Sequence, residues 1–152
     1  MHIVLYQPEI PPNTGNIART CACTGASLHL IRPLGFSTDE KDLRRAGLDY
    51  WDKLDIHYYD NLEELFAEYP DSNFYFATKF ADNYYDEVDY TSDDFLVFGR
   101  ETAGLPDYIL ENHPQQCIRI PMRKNIRSLN LANSVAIVLY EALRQNSWSD
   151  LV

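Results

Sequence analysis

Six short apolar runs punctuate the chain: His2 to Tyr6, Leu28 to Ile31, Asp55 to Tyr59, Phe74 to Thr78, Phe95 to Phe98 and Cys117 to Ile120. Each is rich in β-branched, leucine or aromatic residues and bounded by Pro, Gly, Asn or Asp, which predicts strands. Helical spacing fills the intervals. Gln7 to Pro12 holds three prolines and cannot extend the first strand. Asn13-Thr14-Gly15-Asn16 then opens a helix through Ile17, Ala18, Arg19, Thr20 and Ala22, with Gly25 as its stop. Ser37 or Thr38 caps a short helix that ends at Gly47, with Asp39 and Glu40 in its first turn and Arg44 and Arg45 near its end. Asn61 to Tyr69 is amphipathic and closed by Pro70, and Pro106 suits the first position of a helix over Asp107 to Asn112. The last helix sets Leu131, Val135, Val138, Leu139 and Ala142 on one stripe, which Ile137, Tyr140 and Leu143 widen beyond a single buried face. A second subunit is the expected cover. Ala81 to Asp94 has no clear period and reads as loop. Strands alternating with helices predict one α/β domain over 1–152. Its six-stranded, mainly parallel sheet is flanked by helices, with ligand sites at the carboxyl ends of strands.

Composition narrows the class. At 152 residues the chain can bury a real core. No apolar run approaches the roughly 20 residues of a membrane span. The start lacks the basic region of a signal peptide, so a cytoplasmic protein is expected. Cys21, Cys23 and Cys117 are too few and too irregular for a zinc site or a disulfide framework, and His2, His29, His57 and His113 stand singly. No metal is expected. A net charge of −10 argues against indiscriminate nucleic-acid binding. The acids are uneven, however. Asp82, Asp86, Glu87, Asp89, Asp93 and Asp94 crowd one segment, whereas Gln115 to Ser134 holds Arg119, Arg123, Lys124 and Arg127 and no acid.

Three loops follow predicted strand ends: Gln7 to Asn16, Gly99 to Gly104 and Pro121 to Asn130. Gly99-x-x-x-x-Gly104 lacks the Lys and Ser/Thr of a phosphate loop, since Leu105 and Pro106 stand there, and Glu101 breaks the dinucleotide pattern. A tight turn explains the two glycines equally well. Arg19, one turn into its helix, is unfavourable beside the positive helix end. Either it pairs with Glu9 or Glu101, or it awaits an anion. The third loop joins local basicity to a helix N-terminus, which suits a phosphate-bearing or adenosyl ligand. Nothing resembles a hydrolytic triad.

Taken together, these loops resemble the three motifs of the SPOUT superfamily of RNA methyltransferases, in order and spacing. The matching stretches are Asn13-Thr-Gly-Asn-Ile-Ala-Arg19, Phe98-Gly-Arg-Glu-Thr-Ala-Gly-Leu-Pro106, and Ile118 to Met122 followed by Arg127 to Ala136. The opening Ile3 to Asn16 and Leu43 to Tyr50 are similar to the small tRNA wobble-nucleotide 2′-O-methyltransferases, which act on cytidine and a modified uridine. The resemblance implies a C-terminal trefoil knot and an S-adenosylmethionine cradle. That cradle would use Phe76, Ala77, Thr78, Gly99, Glu101, Gly104, Ile120, Met122, Ser128, Leu129 and Asn133. It also implies a homodimer through the last helix and a tRNA site shared between subunits. Catalysis would fall to Arg19, Asn13 and Ser128, with Asn16 helping to orient the sugar and phosphate. RNA contacts would fall to Arg19, Arg44, Arg45, Arg123, Lys124 and Arg127. Two rivals stay open: a relative acting on another tRNA or rRNA ribose, and a non-catalytic adenosyl- or RNA-binding module.

Overall fold

In the computed structural model, residues 1–37, 51–148 and 151–152 are described. The helix expected up to Gly47, with Arg44 and Arg45, lies outside them. Seven strands form one sheet among the described residues: β1 (His2–Tyr6), β2 (Ser27–Ile31), β3 (Ile56–Tyr59), β4 (Phe74–Ala77), β5 (Asn83–Tyr84), β6 (Phe95–Phe98) and β7 (Cys117–Arg119). Their order is β3-β2-β1-β6-β4-β7-β5, and every pairing is parallel. Among the described residues four α-helices cover it: α1 (Pro11–Thr24), α2 (Leu62–Glu68), α3 (Asp107–Asn112) and α4 (Leu131–Gln145).

The period of two along each strand divides the core between the faces. Ile3, Leu5, Leu28, Leu30, Leu96 and Phe98 meet Ile17 and Cys21 of α1 and Val135, Val138, Leu139 and Ala142 of α4. Val4, Ile31, Phe76, Phe95 and Val97 point the other way, onto Leu62 and Leu65 of α2 and Ile109 of α3. Burial of each large side chain in these layers contributes roughly 1.5–3 kcal/mol. Strands buried on both faces account for runs that read as continuously apolar rather than alternating. Burial also pushes the Cys21 thiol up to about 12, so it behaves as a small core residue.

Local signals set several boundaries. Gly25 ends α1 in the left-handed region at φ 72°. Asn61 caps α2 by accepting from the Glu64 amide at 2.9 Å, while the Glu64 carboxylate accepts from the Asp60 amide at 2.9 Å. Asn130 caps α4 by accepting from the amides of Ala132 and Asn133.

Three expectations need correction. The sheet has a seventh strand, β5, inside the acidic segment read as loop. It pairs Asn83 with Ile118 and Tyr84 with Arg119, because β7 would otherwise leave its ladder groups unpaired at the edge. The Arg119 guanidinium lies 4.6 Å from the centre of the Tyr84 ring. Helix α1 begins at Pro11, ahead of Asn13; its first turn tolerates prolines, since amides there have no partner within the helix. Leu143 belongs to the core, whereas Ile137 and Tyr140 stay outward at 36% and 45% exposure.

Candidate active site

The carboxyl ends of β1, β4, β6 and β7 open on one cleft of about 930 Å³. All three strand-end loops contribute: Ile10 and Asn13 from the first, Gly99 to Leu105 from the second, and Met122 and Arg127 to Asn130 from the third. Ala77 at the end of β4 and Thr78 to Phe80 beyond it add a further wall.

One carboxylate ties the first two loops together. Ile10, at the N-cap of α1, has no side chain able to accept a hydrogen bond. Glu101 does this work from the second loop. Its carboxylate accepts from the Glu9 amide at 2.8 Å, the Ile10 amide at 3.1 Å and the Asn13 side-chain amide at 3.2 Å. A negative charge there also complements the positive end of the helix. Glu9 reciprocates, its carboxylate accepting from the Thr102 amide at 3.1 Å and the Thr102 hydroxyl at 2.8 Å. Both carboxylates proposed as partners for Arg19 are thus engaged between the loops. The third loop joins through Asn130, whose side-chain amide donates to Asn13 Oδ1 at 2.9 Å. Asn13, freed from capping by the early helix start, bridges Glu101 and Asn130.

The second loop is locked by its backbone. Arg100 and Gly104 exchange amide–carbonyl bonds at 3.1 and 2.9 Å, closing a five-residue turn. Gly104 sits at φ 68°, and a Cβ on Gly99 would lie 2.1 Å from the Gly104 carbonyl carbon. The turn therefore needs both glycines, and it lines the cleft as well. The third loop is the opposite: from Pro121 to Asn130 only Met122 is even half-buried. Asn125 adopts φ 67° there.

The cleft brings together Ala77, Thr78, Gly99, Glu101, Gly104, Ile120, Met122, Ser128 and Leu129, with Asn13 and Arg127. Phe76 and Asn133 are not in its lining. Phe76 is fully buried on the face of the sheet that packs α2 and α3, stacked on His113 at 4.9 Å, as its place in the strand alternation requires. Asn133 is exposed on α4 and touches the site through its amide, which Asn130 accepts. Arg19, Arg123 and Lys124 are exposed outside the lining, and Arg19 shares the outward face of α1 with Pro12, Asn16 and Cys23. Sequence reasoning missed Ile10, Lys79, Phe80 and Arg100. The Arg100 guanidinium stands 5.7 Å from the centre of the Tyr6 ring, with Nε buried and unpartnered. Its place between the two glycines was the available signal.

The profile of the SpoU rRNA Methylase family matches residues 1–140. A candidate tRNA (cytidine(34)-2′-O)-methyltransferase of Bacillus subtilis (strain 168) is 58% identical over 99% of this chain and 96% of its own. A solved structure concerned with 2-OH methylation of C/U34 on tRNA superposes with a TM-score of 0.90 at 42% identity, covering 96% of this chain and 95% of that one. An AdoMet-bound rRNA methyltransferase from Sinorhizobium meliloti superposes with a TM-score of 0.81 at 27% identity, over 94% of this chain and 55% of that one.

Proposed function

The chain belongs to the SpoU rRNA methylase family, and from that premise we infer its reaction. It is a tRNA 2′-O-methyltransferase that moves a methyl group from S-adenosylmethionine to the ribose hydroxyl of the wobble nucleotide, a cytidine or modified uridine at position 34. One observation carries the reading: three strand-end loops, knitted by Glu101, Asn13 and Asn130, enclose a single cleft at the carboxyl edge of a parallel sheet.

The cleft fits S-adenosylmethionine. Gly99 and Gly104 let main chain approach a ligand closely, Ile120, Met122 and Leu129 offer apolar surface, and Ala77 and Thr78 close the β4 side. Those residues, with Ser128, would hold it; Glu101 contributes by fixing the wall and Asn133 through its main chain. When bound, the group supplies a methyl on a sulfonium already activated toward nucleophiles. The protein's remaining work is to place the ribose and ease loss of the hydroxyl proton. Asn13, Asn16 and Ser128 orient sugar and phosphate. A guanidinium is a poor base, with a pKa above about 12, so Arg19 acts by holding the adjoining phosphate and stabilising the developing alkoxide.

Arg19 lies outside the lining of its own cleft, so this role requires an RNA site shared between two subunits. A homodimer through α4 supplies it, and the outward Ile137 and Tyr140 support that interface. Arg44, Arg45, Arg123, Lys124 and Arg127 follow the tRNA backbone. The sheet order, with β7 inserted between β4 and β5, and the Asn13–Asn130 bond support a single domain whose C-terminal part is tied in a trefoil knot, against the general rule that chains do not thread loops; a cytoplasmic location accords with a tRNA substrate.

The test is transfer of labelled methyl from S-adenosylmethionine to tRNA lacking wobble ribose methylation, with the product nucleoside identified by mass spectrometry. A 2′-O-methylated wobble nucleotide is expected. Methylation of a different ribose would move the assignment within the family, and cofactor binding without transfer to any tRNA would refute it.

A further inference from the structure

One part of the cleft wall is unexplained by the cofactor cradle. Phe80 is 77% exposed, yet it stands in the lining beside Lys79, just beyond the carboxyl end of β4. An apolar ring so open to water is not there for packing. Its place is nevertheless defined: the Phe80 amide donates to Thr78 Oγ1 at 3.4 Å, closing a small hydroxyl turn, and Lys79 Nζ lies 5.0 Å from the ring centre. Thr78, the residue making that turn, lines the same cleft. The pair thus offers a flat π-face and a cation side by side at the mouth of the proposed methyl-transfer site.

A flat aromatic face beside a positive charge has a natural match in single-stranded RNA, whose unstacked bases lie on aromatic rings while the adjoining phosphates meet cations. We propose that Phe80, with Lys79 beside it, is the stacking platform for a base of the single-stranded tRNA segment that presents the target ribose, a positioning role that rests on the methyltransferase reading above. The base is gripped through its face rather than its edges, so the contact tolerates either pyrimidine. A ribose whose base is held flat has less freedom about the glycosidic bond, and its hydroxyl is presented in fewer directions.

The experiment uses the full chain and begins with methyl transfer by the wild type. Failure there overturns the methyltransferase reading and this proposal with it; success leaves the Phe80 variants to decide the proposal alone. Phe80→Ala and Phe80→Leu should each raise KM for tRNA roughly tenfold, the scale of one lost base stack. Phe80→Trp should restore it. Affinity for S-adenosylmethionine, measured by calorimetry, and the oligomeric state should stay unchanged in all three. An anticodon stem-loop carrying 2-aminopurine beside the target nucleotide should be quenched on binding to wild type and not to Phe80→Ala. Four results would overturn the proposal: unchanged KM, Leu as good as Phe, a parallel loss of cofactor affinity that makes the ring part of the cofactor cradle, or dissociation of the dimer that makes it an interface residue.

Discussion

Two walls of the same cleft are built on opposite principles. The turn from Gly99 to Gly104 is closed by its own backbone bonds and clasped to the first loop by Glu9, Glu101 and Thr102. The stretch from Pro121 to Asn130 faces solvent almost throughout and is anchored by Asn130 at its far end. Each wall has glycine-like backbone, at Gly104 and at Asn125. The first uses it to close the whole loop, the second only in a short turn at Lys124 and Asn125. The locked wall holds its shape before any ligand arrives, as preorganised binding requires. The open wall has polar groups and cations, Arg127 among them, left for what comes in.

This contrast can be broken most severely at Gly99. Gly99→Ala drives a Cβ into the Gly104 backbone, so the turn must open. A loss of about 3 kcal/mol in denaturant titrations is expected, with S-adenosylmethionine binding abolished in calorimetry. Arg19, on neither wall, should separate chemistry from architecture: Arg19→Ala lowers kcat by about a hundredfold or more while the melting curve and cofactor affinity hold. Wild-type turnover in that variant would remove Arg19 from the mechanism. Glu101→Ala should cost about 2 kcal/mol, because it strands the donors at the head of α1. Cofactor affinity should fall with it, and a variant that melts normally would show that the clasp is dispensable. On the open wall the expectation reverses. Arg127→Ala leaves stability unchanged, raises KM for tRNA several-fold and reduces the salt slope of binding by about one; an unaltered slope would place the RNA elsewhere.

The effect with the least bearing on either wall is expected at the other end of the sheet. His29 is buried, its Nε2 3.0 Å from His2 Nδ1 and its ring stacked on His57 at 4.8 Å. Burial, then the neighbouring histidines His2 and His57, bring its pKa from 6.5 down to about 3, opposed more weakly by Asp55 and helped least by the Met1 amino group. The unfolded chain therefore takes up a proton that the folded chain refuses as pH falls below 6.5. Stability declines across that window, toward about 3. Melts between pH 7 and 4 should show the decline, and His29→Leu should reduce it without altering either wall, His2 keeping a share through its own pKa lowered by burial.

The sequence made the frame legible where a local cause sufficed. Apolar runs marked six strands, the stripe of α4 marked its buried face, and Gly25 marked the end of α1. What escaped was non-local. Helix α1 starts at Pro11 because a carboxylate some ninety residues away caps it, and no window around Ile10 contains that information. Strand β5 is two residues long and exists because β7 offers an open edge. In the site, the co-linear motifs coincide with most of the cleft lining, while the Phe76 side chain follows the sheet's alternation into the core. Phe80 went unnoticed because a lone aromatic outside any period looks like loop.

The bonds among Glu9, Asn13, Glu101, Thr102 and Asn130 have a bearing on engineering and descent. Five positions spread over some 120 residues form one mechanical unit, so none can drift freely by itself. A chimera that imports only its second loop from a distant relative should assemble poorly, and one that imports all three together should assemble well. Among relatives, substitutions at these positions should arrive in groups.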